Sequence, residues 1–597
     1  MSDFRTVLVK DSTLADITPD LTYAVRSGAA STTYQNFQAT SAGNSVIVMQ
    51  VQVPSENIVV GRDALITTPM QFRINLGSAA VPAALAAGVV AIQWGKSAAL
   101  QAYPLASIMT TASASINNTT TSCNLQDILP QLLRLNDNRE LFRYNGMCPT
   151  LPDQEFGVYA DADGANCSPL AGVANKSYDG DLTPRGAFPC IAVINRYIAG
   201  VRQDSSPVST GVDNHWIITV FTTTTEPIFL SPFIYGDPDH NKQGLVGVNN
   251  MSFTFNMNTT LNRLVSYGGP VAPALITLQP GVDASPAGSP IAWAAESNMF
   301  ASLVFPNANR DLNARTCAIL LRLLSSQPSD RLQTRNVVPY YDLPRYLTNA
   351  TSAANIAANT VASISSQAIQ LSQLPDYFII VARKTMATQT IADTASFLTI
   401  RSISLNLNNA SGLLSSASPE DLWRISVKNG SQQSFSEFCG KAFAFTAGGV
   451  GVPQGKLVPT TGSLFVVSPT DLSLPDMLAP GSLGAFSLQF TAQVFNQFDA
   501  AAPAQVELCV IACNSGIMTL SQGTASLYTG LLTREAVLAA KQQEPSDEGS
   551  RMIGGRVGML SRALARHPRM VSAVRSYMKG GVPSAGSMSA GRLSGMY

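Results

Sequence analysis

Short runs in which apolar and polar residues alternate recur along most of this 597-residue chain, separated by clusters of Gly, Pro, Asn and Ser. A two-residue period puts successive side chains on opposite faces of an extended strand. In the first part the pattern predicts strands at residues 45–53 (SVIVMQVQV), 64–76 (ALITTPMQFRINL), 191–198 and 216–230 (WIITVFTTTTEPIFL). Further on it predicts strands at 251–258 (MSFTFNMN), 317–324, 377–383 (YFIIVAR), 397–407 (FLTIRSISLNL), 464–468, 484–495 (GAFSLQFTAQVF) and 505–513. Alternation is cleanest at 251–258 and 397–407, where one face is apolar and the other Ser, Thr, Asn or Arg. That is the pattern of a half-buried antiparallel strand.

Helical spacing is rare. Residues 125–135 (LQDILPQLLRL) fit a short helix with Pro130 as a kink. Ser418-Pro419-Glu420-Asp421 is a helix start, with Ser418 as cap, Pro419 at the first turn and Asp421 completing a capping box; Asn429-Gly430 marks the end. A further helix is expected over 533–541. The uncharged run 76–94 has the length of a membrane span, but it is mostly Ala and Gly with Pro82 inside, and reads as a small-residue loop followed by a strand. Many short strands without a βαβα alternation indicate all-β sandwiches, and no repeat of solenoid period occurs. The breaker-dense segment 230–244 predicts a domain boundary. The expected division is an N-terminal arm at 1–40, a first sandwich at 41–240, a second at 241–535 and a C-terminal arm at 536–597. Residues 136–185 and 327–374 read as long inserted loops.

Composition changes the picture in one respect. Charged residues are 13% of the chain, about half of the usual ~25%. Lys+Arg and Asp+Glu are 38 each, so the net charge is zero, and mean hydropathy is +0.13. This excludes a disordered chain and a binder of nucleic acid whose body is basic. A weakly charged surface favours association. The zero is a balance of unlike parts. Residues 551–597 hold eight basic side chains, Arg551, Arg556, Arg562, Arg566, Arg569, Arg575, Lys579 and Arg592, and no acidic one, so residues 1–550 carry a net −8. The segment 559–578 is partly amphipathic and 580–591 reads as a flexible Gly/Ser/Ala linker. The tail is a candidate cationic arm for nucleic acid or an anionic membrane face.

Candidate chemistry is sparse. There is no HExxH, Gly-x-Ser-x-Gly or Walker A run, and only three histidines, His215, His240 and His567. Asp237-Pro-Asp-His240 reads as a polar turn, Asp213-Asn-His215 as a strand start and Asp161–Asp163 as a solvated loop, so no catalytic residue, metal site or cofactor is expected. Tyr340, Tyr341 and Tyr346 lie in a Pro-rich stretch that reads as a loop used for packing or subunit contact. The eight cysteines contain no CxxC pair; Cys509 and Cys513, four apart on a strand-like run, read as buried core residues of a chain made in a reducing compartment, the host cytoplasm. No basic, then apolar, leader begins the sequence. Met552-Ile-Gly-Gly555 before Arg556 and Met578-Lys-Gly-Gly581 before Val582 offer extended, side-chain-poor backbone to a narrow protease cleft.

Residues 52–57 (QVPSEN), 141–147 (LFRYNGM), 183–188 (TPRGAF), 225–232 (TEPIFLSP), 374–383 (LPDYFIIVAR) and 409–423 (NASGLLSSASPEDLW) carry a resemblance that extends over about residues 40–540. The chain resembles double jelly-roll major capsid proteins of the adenovirus/PRD1-type DNA virus lineage, especially those of small adenovirus-like and polinton-like eukaryotic viruses. The resemblance implies two consecutive eight-stranded jelly rolls with long inserted loops, few short helices and a flexible basic C-terminal arm. It implies a homotrimer of hexagonal outline that tiles an icosahedral capsid in the virion. Penton and minor capsid or cement proteins are then expected as partners, with genome DNA or an internal membrane meeting the arm. Such viruses often encode an adenovirus-type cysteine protease, whose preference looks like the steps at Gly555/Arg556 and Gly581/Val582. Two other readings are weighed: a single-jelly-roll capsid protein with a projecting β domain from an RNA or ssDNA virus, and a β-sandwich carbohydrate-binding module or enzyme. The first requires unlike halves; the second requires paired acids or an aromatic platform, for which four tryptophans are few.

Overall fold

The computed structural model describes residues 31–75, 98–136, 190–203, 214–233, 244–258, 265–267, 275–278, 298–304, 318–325, 336–348, 355–386, 395–447, 453–472, 480–497 and 504–533, apart from a few positions within them, together with Gln389 and several residues between 141 and 152. Thr533, expected to open a helix, lies in a short strand instead; residues 534–541, the run 76–94, Asp161–Asp163, Asp213, Asp237–His240 and the whole C-terminal arm lie outside the described residues.

The first fifteen strands are β1 (Ser31–Ala42), β2 (Val46–Gln52), β3 (Ile58–Val60), β4 (Leu65–Asn75), β5 (Ala98–Leu100), β6 (Met109–Ile116), β7 (Thr119–Cys123), β8 (Cys190–Ile198), β9 (Val201–Gln203), β10 (Asn214–Pro227), β11 (Asn250–Met257), β12 (Val265–Tyr267), β13 (Leu275–Leu278), β14 (Asn298–Val304) and β15 (Ala318–Ser325). Two helices lie among them, α1 (Pro104–Ser107) and α2 (Leu125–Leu133). The sheet runs β7-β6-β11-β2-β1-β15-β4-β10, with β8 and β9 beyond β10. Counting β1, β2, β4, β6, β7, β10, β11 and β15 as strands one to eight, the order is five-four-seven-two followed by one-eight-three-six. These are the two sheets of a jelly roll, joined here where β1 passes from β15 to β2.

The remaining strands are β16 (Asn336–Asp342), β17 (Arg345–Thr348), β18 (Asn355–Ile356), β19 (Val361–Ser365), β20 (Ile369–Gln373), β21 (Tyr377–Lys384), β22 (Thr399–Leu407), β23 (Ala410–Leu413), β24 (Lys441–Ala447), β25 (Pro453–Pro459), β26 (Phe465–Val467), β27 (Ser482–Phe495), β28 (Ala504–Ser521), β29 (Thr524–Thr529) and β30 (Leu532–Thr533), with helices α3 (Pro419–Lys428) and α4 (Phe435–Phe438). One sheet runs β16-β28-β21-β26 and the other β19-β27-β22-β23, with β20 also on β27. This is again one-eight-three-six and two-seven-four-five. Even the details repeat. In each roll strands four and five pair as a hairpin, turning at Asn117-Asn118 and at Asn408, and a helix follows. Asn117, Asn118 and Asn408 have positive φ, as such tight hairpins require. The like halves remove the reading of one jelly roll with a projecting domain.

Three expectations are corrected. β11 and β15 lie beyond residue 240 yet pair with β2, β6, β1 and β4, so the first roll continues to residue 325 and no boundary between rolls falls at 230–244. Residues 31–40, expected in an arm, form most of β1. The stretch 327–374 is not an inserted loop: it holds β16–β20, the opening strands of the second roll, and Tyr340, Tyr341 and Tyr346 sit on those strands.

α2 continues through Pro130. α3 begins with the expected box: the Asp421 amide donates to Ser418 Oγ at 3.2 Å and the Ser418 amide to Asp421 Oδ2 at 3.0 Å. Inside the second roll, alternate residues of β21 and β28 (Phe378, Ile380, Ala382; Leu508, Val510, Ala512) form one apolar cluster. The intervening residues (Ile379, Val381; Cys509, Ile511, Cys513) belong to a second cluster shared with the first roll.

Candidate assembly interface

The sheet β16-β28-β21-β26 is buried on both faces at β21 and β28, because the first roll covers its outer side. Part of this cover is α2, all nine residues of which are buried. At its third position Asp127 faces across to the second roll. Arg383 on β21, 1% exposed, donates from Nη2 to Asp127 Oδ1 at 2.5 Å and from Nε to Glu507 Oε1 at 2.7 Å. Arg345 Nη1 meets Asp127 Oδ2 at 2.8 Å. Two cations and two anions thus close a neutral network in the seam. Opposite charges withdrawn from water must each find partners, because a lone one is costly. Just past α2, the Arg134 guanidinium lies 4.8 Å over the Phe397 ring, and its carbonyl accepts from the Gln432 amide at 3.0 Å. Tyr340 packs in the same shared cluster.

A second buried carboxylate lies inside the first roll. Glu226, at 0% exposure, accepts from the amides of Leu105 and Ala106 at 2.9 Å each. Burial pushes its carboxyl up to about 7, against the pull of those two amides and the Thr224 hydroxyl. Tyr103 and Cys148 are pushed up too, first by burial and then by neighbours that include Glu226. A thiol held protonated is a poor nucleophile. Cys509 and Cys513 are fully buried on β28, as their spacing implies, and burial raises both thiols, Cys509 to about 11. Among the described residues no group of three or more His, Cys, Asp or Glu could hold a metal ion, and no helix is long and apolar enough to cross a membrane.

The sheets also present outward rows of residues without charge. In the first roll the outward residues of β2, β11, β6 and β7 line up as Gln50–Ser252–Ser115–Thr120 and Val48–Thr254–Ser113–Ser122. In the second, β19, β27 and β22 show Ser363–Gln493–Ser402 and Ser365–Thr491–Ser404. Charge depletion of this kind marks surfaces that meet protein. The residues singled out in the tail, Arg551, Arg556, Arg562, Arg566, Arg569, Arg575, Lys579, Arg592, Gly555, Gly581 and Val582, lie outside the described residues, so nothing places them near these rows. The seam itself was not foreseen. Its one signal is an Arg at the end of the apolar run 377–382.

Two rolls of the same strand order, joined through a buried seam and carrying uncharged outward rows, define a double jelly-roll capsid protein. The comparisons place it further. Residues 2–299 match the family model for the first domain of the Sputnik virophage major capsid protein, and residues 343–516 match that for the major capsid protein V20 C-terminal domain. The chain belongs to this family of virophage major capsid proteins, and its place is the capsid of the virion. It is 26% identical over 538 residues, 88% of its length, to the putative capsid protein V20 of Sputnik virophage, covering 80% of that protein. Among solved structures it is similar to a chain of the Sputnik virophage cryo-EM structure (22% identity, TM-score 0.67, covering 91% of this chain and 97% of that one). It is also similar to the mavirus major capsid protein (14% identity, TM-score 0.59, 86% and 93%).

Proposed function

We propose that three copies of this chain close into a capsomer of hexagonal outline, and that such capsomers tile an icosahedral shell. The observation that carries this is the internal repeat: two rolls of one topology make three chains present six similar units. The domain division that fits is a first roll at 31–325 and a second at 336–533. The role is structural rather than enzymatic. Uncharged outward rows meet neighbouring copies, while penton and minor capsid or cement proteins close vertices and joints. In analytical ultracentrifugation the purified protein sediments as a trimer or larger; a stable monomer at micromolar concentration overturns the reading.

The C-terminal arm is proposed to face inward. Its eight cations and lack of anions suit nucleic-acid phosphates or, where a membrane lines the shell, anionic headgroups. A protease cutting after Gly555 would remove seven of the eight basic residues; a cut after Gly581 would remove only Arg592. Intact-mass spectrometry of assembled particles is expected to show chains ending at Gly555 or Gly581, and full-length chains alone would reject processing. Deleting residues 551–597 is expected to abolish salt-sensitive DNA binding while trimers persist; undiminished binding would reject the contact.

A further inference from the structure

The two helices that follow the hairpins occupy the same place in their rolls, yet their surroundings differ. Every residue of α2 is buried, whereas in α3 only Leu422 and Ser426 are. Val427 on α3 is 39% exposed and Phe435, at the start of α4, is 41% exposed; the Phe435 ring stands edge-on to Trp423 at 5.5 Å between centroids. Part of the cover over α2 is the second roll's sheet of β16, β28 and β21. The corresponding sheet of the first roll is β1, β15 and β4, and among the described residues its outer face is open except at Leu324, which packs with Val59 and Val246. Tyr34, 66% exposed, lies opposite Arg322 there, and Leu320, half-buried, lies opposite Leu65.

We propose that α3 and the adjoining Phe435 dock on the outer face of β1, β15 and β4 of a second copy of this chain, repeating between chains the contact that α2 makes within one. The proposal rests on the trimer reading above and assigns its interface. The occupant is fixed by the repeat itself. Whatever surface fits α2 in one roll has its counterpart in the other, and within a chain each roll lacks one half of that contact. The first roll has an uncovered receiving face and the second an uncovered helix. The contact is therefore head-to-tail, and such contacts form closed rings when the rotation between units closes. Six rolls from three chains then make six junctions, three within chains and three between them. The helix starts agree in kind, since α3 begins with Glu420 and Asp421, the latter at the same helix position as Asp127; on the receiving face Arg322 is paired with Asp63 at 3.3 Å, so apolar side chains carry the contact.

The test uses the full chain. Val427→Asp and Phe435→Asp on the presenting side, and Tyr34→Asp on the receiving side, are each expected to weaken trimer association roughly 30-fold or more, in the range of interface hot spots. Tyr528→Asp on β29, 44% exposed and outside the proposed contact, is expected to leave trimers intact. Folding of each variant is read by circular dichroism. Val427→Ser and Phe435→Ser, which remove apolar surface without adding charge, carry the test if the aspartates unfold the helix. Mixing the Val427→Asp and Tyr34→Asp proteins should give 1:1 heterodimers through the one undamaged contact. Trimers as stable as the wild type in both the presenting and receiving variants overturn the interface, whereas a monomeric wild type overturns the trimer reading instead.

Discussion

Asp127→Asn is expected to lower the unfolding free energy by about 3–5 kcal/mol, the range for breaking a buried ion pair from one side. The substitution keeps the shape and removes the charge. Arg383 then retains Glu507 alone, and Arg345 loses the carboxylate that meets its Nη1. An arginine cannot escape by losing its proton, so a 1%-exposed guanidinium stays charged and under-partnered. The loss falls at the seam, where α2 of one roll covers β21 of the other, so it weakens the joint rather than either core. Urea unfolding at fixed protein concentration, followed by intrinsic fluorescence, measures it; concentration must be held because association adds to apparent stability. The cycle with Arg345→Met supplies the second readout: that change should cost less in the Asp127→Asn background than in the wild type, because the partner is already gone. A loss under about 1 kcal/mol would mean that the pair is no better than a surface salt bridge.

The seam also shows where sequence stops being informative. Strands with one apolar and one wet face were legible, because β11 and β22 alternate along their length. α3 was legible because its cap is written in four consecutive residues. β21 was legible as a strand, but its near-continuous apolar run states only that both faces are buried, not what buries them. Asp127 and Arg383 are 256 residues apart, and nothing local to either names the other. Strands built from small or polar side chains escaped notice. β6 (MTTASASI) has Ala112 and Ala114 for its inner face, and β1 is polar and almost wholly exposed. The domain boundary was misplaced for a related reason. A jelly roll closes by pairing strands from its two ends, as β1 pairs with β15, and a Gly/Pro-rich segment inside it looks like a linker.

Glu226 should make the protein less stable as pH rises from about 5 to 8. Its carboxyl stands near 7 in the folded chain because burial disfavours the anion more than the Leu105 and Ala106 amides and the Thr224 hydroxyl favour it. In the unfolded chain it is an ordinary glutamate near ~4.3. The folded state therefore holds a proton that the unfolded state has released. That stability is fully present below the unfolded value and is lost as pH climbs through 7. At about 1.4 kcal/mol for each pKa unit, the loss is on the order of 3 kcal/mol, levelling off above pH 7. Burial also raises Asp342 and Asp376, which add a slope of the same sign. The informative quantity is thus the difference between wild type and Glu226→Gln, compared by chemical denaturation at pH 5 and pH 8. The glutamine is neutral throughout and keeps one acceptor for the two amides, but its NH2 group meets the other, so the variant starts lower at pH 5. Between the two pH values it should lose about 3 kcal/mol less than the wild type. Equal losses in the two proteins would mean that Glu226 is already ionised at pH 5, with the two amides outweighing burial.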